Sequence, residues 1–154
     1  MNAANTSAES GPIVFAYDGS ELANLAIDKA GTLLADKRDA LVVCVWQPFD
    51  VGFVVPAGTQ FNAAQTPAVK QAAELTAAGG AARAEAAGFQ ARSMAVEAAP
   101  TWKGIVKVAE EHGASLIVLG SHGRGGFGGA LVGSVASAVA SHSHQTVLIT
   151  HRGP

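Results

Sequence analysis

The chain has 154 residues, a formal net charge of -2, 14% charged residues and one cysteine. This length suits a single domain, and a hydrophobic fraction of 49% excludes a disordered chain. The near-neutral charge argues against nucleic-acid binding, no apolar run is long enough to span a membrane, and one cysteine cannot form an internal disulfide. Because the start also lacks the pattern of a secretory signal, we expect a cytoplasmic protein.

The first part of the chain predicts two strands joined by a helix. The short apolar run Ile13–Ala16 predicts a buried strand, and Ser20 is placed to cap an amphipathic helix over 21–35. The continuous, β-branched run 41–46 predicts a strand that is covered on both faces. The stretch 47–66 is rich in proline and glycine and carries a single charge, so it predicts a long apolar loop.

The middle of the chain continues the alternation of helices and strands. Residues 67–87 are rich in alanine and predict a helix, with a break or weak point at Gly79-Gly80 because each glycine costs a helix about 1 kcal/mol. A third strand is predicted over 89–96. A third helix over 101–112 follows, and the apolar run 116–119 predicts a fourth buried strand.

The last part of the chain predicts a glycine-rich loop over 120–130, a helix over 133–142 and a final strand over 147–149. Strands that alternate with helices predict one parallel sheet with helices on both faces, an α/β fold. The small polar residues 1–12 predict a disordered arm, which leaves a single domain over 13–151.

Seven of the 18 glycines lie between Gly120 and Gly133, and Arg124 supplies the only formal charge of that segment. A buried strand, a glycine segment and a helix start together form an arrangement that binds phosphate, because the first N–H groups of a helix are unpaired and glycine lets the backbone approach an anion. Ser134 and Arg124 would add donors. Because ligands of parallel sheets bind beyond the carboxyl ends of the strands, Asp18 is expected opposite this segment.

Two common phosphate motifs do not account for these glycines. The P-loop GxxxxGK[ST] is excluded because no lysine follows Lys107. The dinucleotide fingerprint GxGxxG matches at 123–128, but the acidic residue it needs about 20 positions further on is missing. Only one strand follows it, so the second half of a dinucleotide fold is missing as well.

A third pattern fits. Gly120, two residues, Gly123, nine residues and Gly133-Ser134 make a spacing that closely resembles the ATP-binding signature of the universal stress protein family. The segments VFAYDGS at 14–20 and ASLIVLG at 114–120 resemble the same family, so the resemblance covers about 12–150.

The resemblance implies a five-stranded parallel sheet of the adenine nucleotide alpha hydrolase-like, Rossmann-like type, commonly dimeric. It implies ribose and adenine contacts from the first loop, a backbone contact to adenine from the second strand, and ribose–phosphate contacts from the glycine segment and the helix after it. By position, these contacts fall on Ala16, Asp18, Val45, Gly120, His122, Gly123, Arg124, Gly133, Ser134 and Val135.

The expected function is ATP binding, with Mg²⁺, by a nucleotide-sensing regulator of the stress response. An apolar strand at the edge of a sheet is prone to aggregate unless it is paired. We therefore expect a homodimer in which the last strand, with Val147, Leu148 and Ile149, pairs with its copy in a second chain, as the resemblance also implies. No catalytic residue and no dedicated metal site is predicted.

Three alternatives stay open. The first is a slow ATPase in which Asp18 helps to hold a metal. The second is a partner-binding module without nucleotide, which would use the loop 47–66 and the Gly79-Gly80 helix. The third is a binder of a cyclic nucleotide, since an adenine and one phosphate would use the same groups.

Overall fold

A computed structural model of the chain describes residues 11–34, 38–48, 66–123 and 131–153. The strands, in chain order, are β1 (Ile13–Ala16), β2 (Asp39–Trp46), β3 (Gln90–Glu97), β4 (Leu116–Gly120) and β5 (Thr146–Thr150). The helices are α1 (Glu21–Leu33), α2 (Thr66–Ala86), α3 (Thr101–Glu111) and α4 (Ser134–His142). These elements follow the predicted order.

All five strands form one sheet in the order β3-β2-β1-β4-β5, and every neighbouring pair is parallel. The predicted α/β fold is therefore confirmed. Strand β1 lies at the centre of the sheet, with Val14 opposite Leu41 of β2 on one side and Ile117 of β4 on the other. This order brings the loop after β1 between the loops that follow β2 and β4.

The two faces of the sheet carry separate cores, because successive side chains of a strand point to opposite faces. On one face, Val14 and Val43 pack with Ile105 of α3 and Val139 of α4. On the other face, Phe15 and its neighbours pack with helices α1 and α2. Helices thus cover both faces, which explains why the central strands read as continuous apolar runs.

The start of α1 forms as its sequence predicts. The Ser20 hydroxyl accepts a hydrogen bond from the Ala23 N–H at 3.2 Å, and Glu21 lies in the first turn. This caps one of the N–H groups that a helix start leaves unpaired, and the acidic residue suits the positive end of the helix dipole.

The predicted break at Gly79-Gly80 is wrong, since α2 runs without interruption through both glycines. A Cβ on Gly80 would lie 2.6 Å from Cδ1 of Tyr17 and 2.7 Å from Cγ1 of Val42, whereas a Cβ on Gly79 would meet nothing within 4 Å. Gly80 therefore lets the helix lie close against the sheet. Burial along the helix outweighs a propensity loss of about 1 kcal/mol per glycine.

Several predictions fall outside the described residues: positions 1–10 of the predicted arm, 49–65 of the long loop and 124–130 of the glycine segment. The last two residues of the predicted arm are described, and the Gly11 carbonyl accepts hydrogen bonds from Arg38 and from the Ser115 hydroxyl. None of the described helices is long and apolar enough to cross a bilayer.

Candidate functional site

A cavity of about 420 Å³ opens at the carboxyl ends of β1, β2 and β4. The described residues that line it come from the ends of these strands, from the first turns of three helices and from the glycine segment: Ala16, Tyr17, Asp18, Ser20, Ala23, Val43, Val45, Thr101, Ile105, Leu119, Gly120, Ser121, His122, Gly123, Gly133, Ser134, Val135 and Ala136. This is the edge of the sheet at which parallel α/β proteins bind ligands.

The structure brings the predicted site residues together. Nine of the ten line this one cavity: Ala16, Asp18, Val45, Gly120, His122, Gly123, Gly133, Ser134 and Val135. The tenth, Arg124, lies outside the described residues. The sequence thus predicted which separate segments meet at this edge of the sheet.

Asp18 combines a local and a long-range role. Its Oδ1 accepts a hydrogen bond from the Ser20 N–H at 2.9 Å, which shapes the turn between β1 and α1. Its Oδ2 lies 2.7 Å from where a Cβ on Gly123 would stand. The carboxylate therefore faces the glycine segment, and any side chain at Gly123 would displace it.

The start of α4 lines one end of the cavity and has the features of a helix start that can bind an anion. Gly133 is the N-cap residue, and no side chain caps the helix by a hydrogen bond. The first N–H groups of a helix have no partner within it and carry the positive end of the helix dipole. Ser134, the first residue of α4, adds an exposed hydroxyl at the same place.

Close backbone contacts hold this helix start against β4. The Gly133 N–H donates to the Ser121 carbonyl at 2.7 Å, and a Cβ on Gly133 would lie only 2.8 Å from that oxygen. The Ser121 N–H in turn donates to the Thr150 carbonyl of β5 at 2.9 Å. These bonds fix the two ends of the glycine segment to the sheet.

Ser121 and His122 form a polar pair in the cavity wall. The Ser121 side chain is buried, and its Oγ lies 3.2 Å from Nδ1 of His122. This contact orients the imidazole beside the ends of the glycine segment. The predicted site included His122 but omitted Ser121, although the two are neighbours in the chain.

The wall of the cavity that β2 and α3 form is largely apolar. Strand β2 contributes Val43 and Val45, and helix α3 contributes Thr101 and Ile105. The prediction included only Val45 of these four. A sequence signal for the two residues of α3 is missing, because they belong to a helix that packs on β2 from more than fifty positions further along the chain.

Tyr17 lies between the cavity and helix α2. Its hydroxyl donates to Oδ1 of Asn24 at 2.6 Å, and its ring packs against Gly80. Burial raises the pKa of the Tyr17 phenol above its usual value, and the positive charge of Arg83 opposes this shift. The side chain is therefore a neutral hydrogen-bond donor in the ordinary pH range.

The described residues contain no group of three or more His, Cys, Asp or Glu side chains that could hold a metal ion. A cation at this site would have Asp18 as its nearby carboxylate and would need further ligands from a bound molecule. This fits Mg²⁺, which is usually held by one or two carboxylates together with phosphates and water.

Comparison with known proteins decides the family. The model of the universal stress protein family matches residues 10–151. The chain belongs to the universal stress protein family. A universal stress protein of Mycobacterium tuberculosis is 33% identical over 148 residues, which cover 92% of this chain and 45% of that protein. The chain therefore spans less than half the length of this relative.

Two solved structures show the same fold. The protein MJ0577 of Methanocaldococcus jannaschii has a TM-score of 0.77 at 23% identity and covers 95% of this chain and 99% of its own. A universal stress protein solved in complex with cAMP has a TM-score of 0.65 at 27% identity, with 94% and 99% coverage. The predicted family and five-stranded fold are thus confirmed.

Proposed function

We propose that this universal stress protein binds ATP in the cavity beyond β1, β2 and β4 and works as a nucleotide-sensing regulator in the stress response. The observation that carries the proposal is the pairing of an apolar wall at Val43 and Val45 with the α4 helix start at Gly133-Ser134. An apolar wall suits a purine base, and a helix N-terminus with a hydroxyl suits phosphates.

The carboxylate of Asp18 supports a role for Mg²⁺ in the same complex. It lies between the glycine segment and the first turn of α1, and it keeps one oxygen directed toward Gly123. In this proposal Mg²⁺ arrives with ATP and neutralises part of the phosphate charge. It binds the Asp18 carboxylate directly or through a water molecule. The chain itself supplies the apolar wall for the base and the hydrogen-bond donors for the phosphates.

A cyclic nucleotide is the second candidate, because a relative of similar fold was solved with cAMP. The two ligands use the base wall alike but differ at the phosphate end. A cyclic monophosphate carries one charge, whereas ATP extends two further phosphates toward the start of α4. Relative affinity for ATP, ADP, AMP and cAMP therefore separates the two candidates.

We propose that two copies pair through β5, which lies at the edge of the sheet. This edge strand contains three apolar residues that are only half-buried: Val147, Leu148 and Ile149. Pairing would remove this exposed backbone edge from solvent. For the location we propose the cytoplasm, which agrees with a chain that has one cysteine, the buried Cys44.

The test begins with mass spectrometry of the nucleotide that co-purifies with the chain, followed by calorimetric titration. ATP with Mg²⁺ at about 100 times Kd should stabilise the fold by about 2.7 kcal/mol. For a protein of this size this corresponds to a rise in Tm of about 5–10 °C. Absence of both a titration signal and a Tm shift would refute the proposal.

A matched pair of variants tests the phosphate end. Ser134→Ala removes a donor to a charged phosphate, for which we expect a loss of about 10- to 100-fold in ATP affinity. Ser141→Ala is the control, because Ser141 is an exposed serine of the same helix that does not line the cavity and donates to the Ser137 carbonyl. Equal affinity of the two variants would argue against the assigned phosphate position.

A further inference from the structure

One polar side chain stands out on the apolar wall of the cavity. Among the described lining residues that β2 and α3 contribute, Thr101 is the only one with a polar side chain; the others are Val43, Val45 and Ile105. Thr101 is the first residue of α3, and its side chain is half-buried. In the part of the chain that the structure describes, its hydroxyl has no hydrogen-bond partner.

Close packing fixes the position of this residue. A Cβ on Gly104, one turn further along α3, would lie 2.7 Å from Cβ of Ala98 and 3.1 Å from both γ-methyl groups of Val45. Gly104 is buried, so the first turn of α3 lies directly on the carboxyl end of β2. The first turn of α3, which begins with Thr101, is thereby held on the β2 side of the central strand.

The phosphate end of the cavity is on the other side of β1. The sheet order places β2 and β4 on opposite sides of β1, and the glycine segment and α4 follow β4. A nucleotide with its phosphates at Ser134 therefore places its base toward Val43, Val45 and Thr101. Purine bases have apolar faces and a polar edge with donors and acceptors, so one hydroxyl on an apolar wall can fix their orientation.

We propose that Thr101 is a base-binding residue whose hydroxyl hydrogen-bonds the polar edge of the purine base. This inference rests on the proposed nucleotide site and deepens it. A threonine hydroxyl both donates and accepts, so it can pair with a ring nitrogen or with the exocyclic amino group. Val43, Val45 and Ile105 then contact the faces and rim of the base without distinguishing its polar atoms.

The test compares ATP with inorganic tripolyphosphate, which has the phosphates but no base. Thr101→Val replaces the hydroxyl by a methyl group of similar shape, and Thr101→Ser keeps the hydroxyl. We expect T101V to weaken ATP binding by about fivefold, T101S to remain within about twofold of the wild-type chain, and both to bind tripolyphosphate as the wild-type chain does. Ser134→Ala should weaken both ligands. Circular dichroism and the Tm without ligand show that each variant is folded.

Two results would overturn the assignment of Thr101. One is T101V binding ATP within about twofold of the wild-type chain, and the other is T101V losing affinity for ATP and for tripolyphosphate by the same factor. A wild-type chain that binds no adenine nucleotide is a different result, because it refutes the proposed function and this inference with it. Failure at Thr101 alone leaves ATP binding intact.

Discussion

The neighbouring glycines of α2 allow a direct test of how the helix packs on the sheet. Gly79 and Gly80 are consecutive residues of one helix, but Gly79 is exposed and Gly80 is buried. Alanine at either position raises helix propensity by about 1 kcal/mol. The propensity term therefore cancels when the two alanine variants are compared, and the difference reports packing alone.

The structure predicts an unfavourable packing contribution for Gly80→Ala and none for Gly79→Ala. A Cβ on Gly79 meets nothing within 4 Å, so Gly79→Ala should stabilise the fold by about 0.5–1 kcal/mol. A Cβ on Gly80 would lie 2.6 Å from the Tyr17 ring and 2.7 Å from a Val42 methyl group. Such overpacking costs about 1–3 kcal/mol, so Gly80→Ala should be less stable than Gly79→Ala by about that amount.

Urea denaturation of the wild-type chain and both variants measures these free energies. The m-value should stay constant, since neither change alters the surface exposed on unfolding. In thermal melts, Gly79→Ala should raise Tm by about 1–4 °C, and Gly80→Ala should lie about 2–12 °C below it. A Gly80→Ala chain as stable as Gly79→Ala would refute the close approach of α2 to Tyr17 and Val42.

Two further predictions concern charge. Tyr17 is the only tyrosine of the chain, so the ultraviolet absorbance of phenolate reports its ionisation directly. Because burial raises its pKa, Tyr17 of the folded chain should ionise at a higher pH than in denaturant, where its pKa is about 10. The stability that this shift contributes should be complete below the pKa of the denatured chain and should be lost as the pH rises through the folded pKa. A folded midpoint at or below that of the denatured chain would contradict the buried position of the ring. Arg83 forms two hydrogen bonds with Asp28, at 2.9 and 2.6 Å, but both side chains are more than 40% exposed, so Asp28→Asn should cost less than about 1 kcal/mol and less still at high salt. A loss above about 2 kcal/mol in urea denaturation, unchanged by salt, would show that this pair is buried in solution.

Local chemistry explains why much of the fold could be predicted. Ser20 caps α1 through its own hydroxyl, and the apolar runs of β1 and β2 are continuous because helices cover both faces of the sheet. These signals lie within a few residues of the elements they define. The order of strands and helices along the chain follows from these signals, and their alternation predicts the parallel sheet.

The candidate site could be predicted as far as its loops. The spacing from Gly120 to Ser134 and the turn at Asp18 pointed to two segments that the sheet order then brings to one edge. Thr101 and Ile105 could not be found in this way. They reach the cavity because α3 packs on β2, and the start of α3 carries no motif that predicts a ligand.

Local sequence patterns are sufficient to predict the order of the elements, the strand–glycine–helix segment at Gly120–Ser134 and the cap of α1, because each depends on periodicity or turn chemistry within a short stretch. Two features could be found only in the folded molecule: α2 continues through Gly80, and Thr101 lines the same cavity as Val45. Both depend on contacts between elements that are distant in the chain. The loss of helix propensity is about 1 kcal/mol per glycine, which is small against the free energy gained by burying a whole helix face. Packing rather than propensity therefore sets the course of α2.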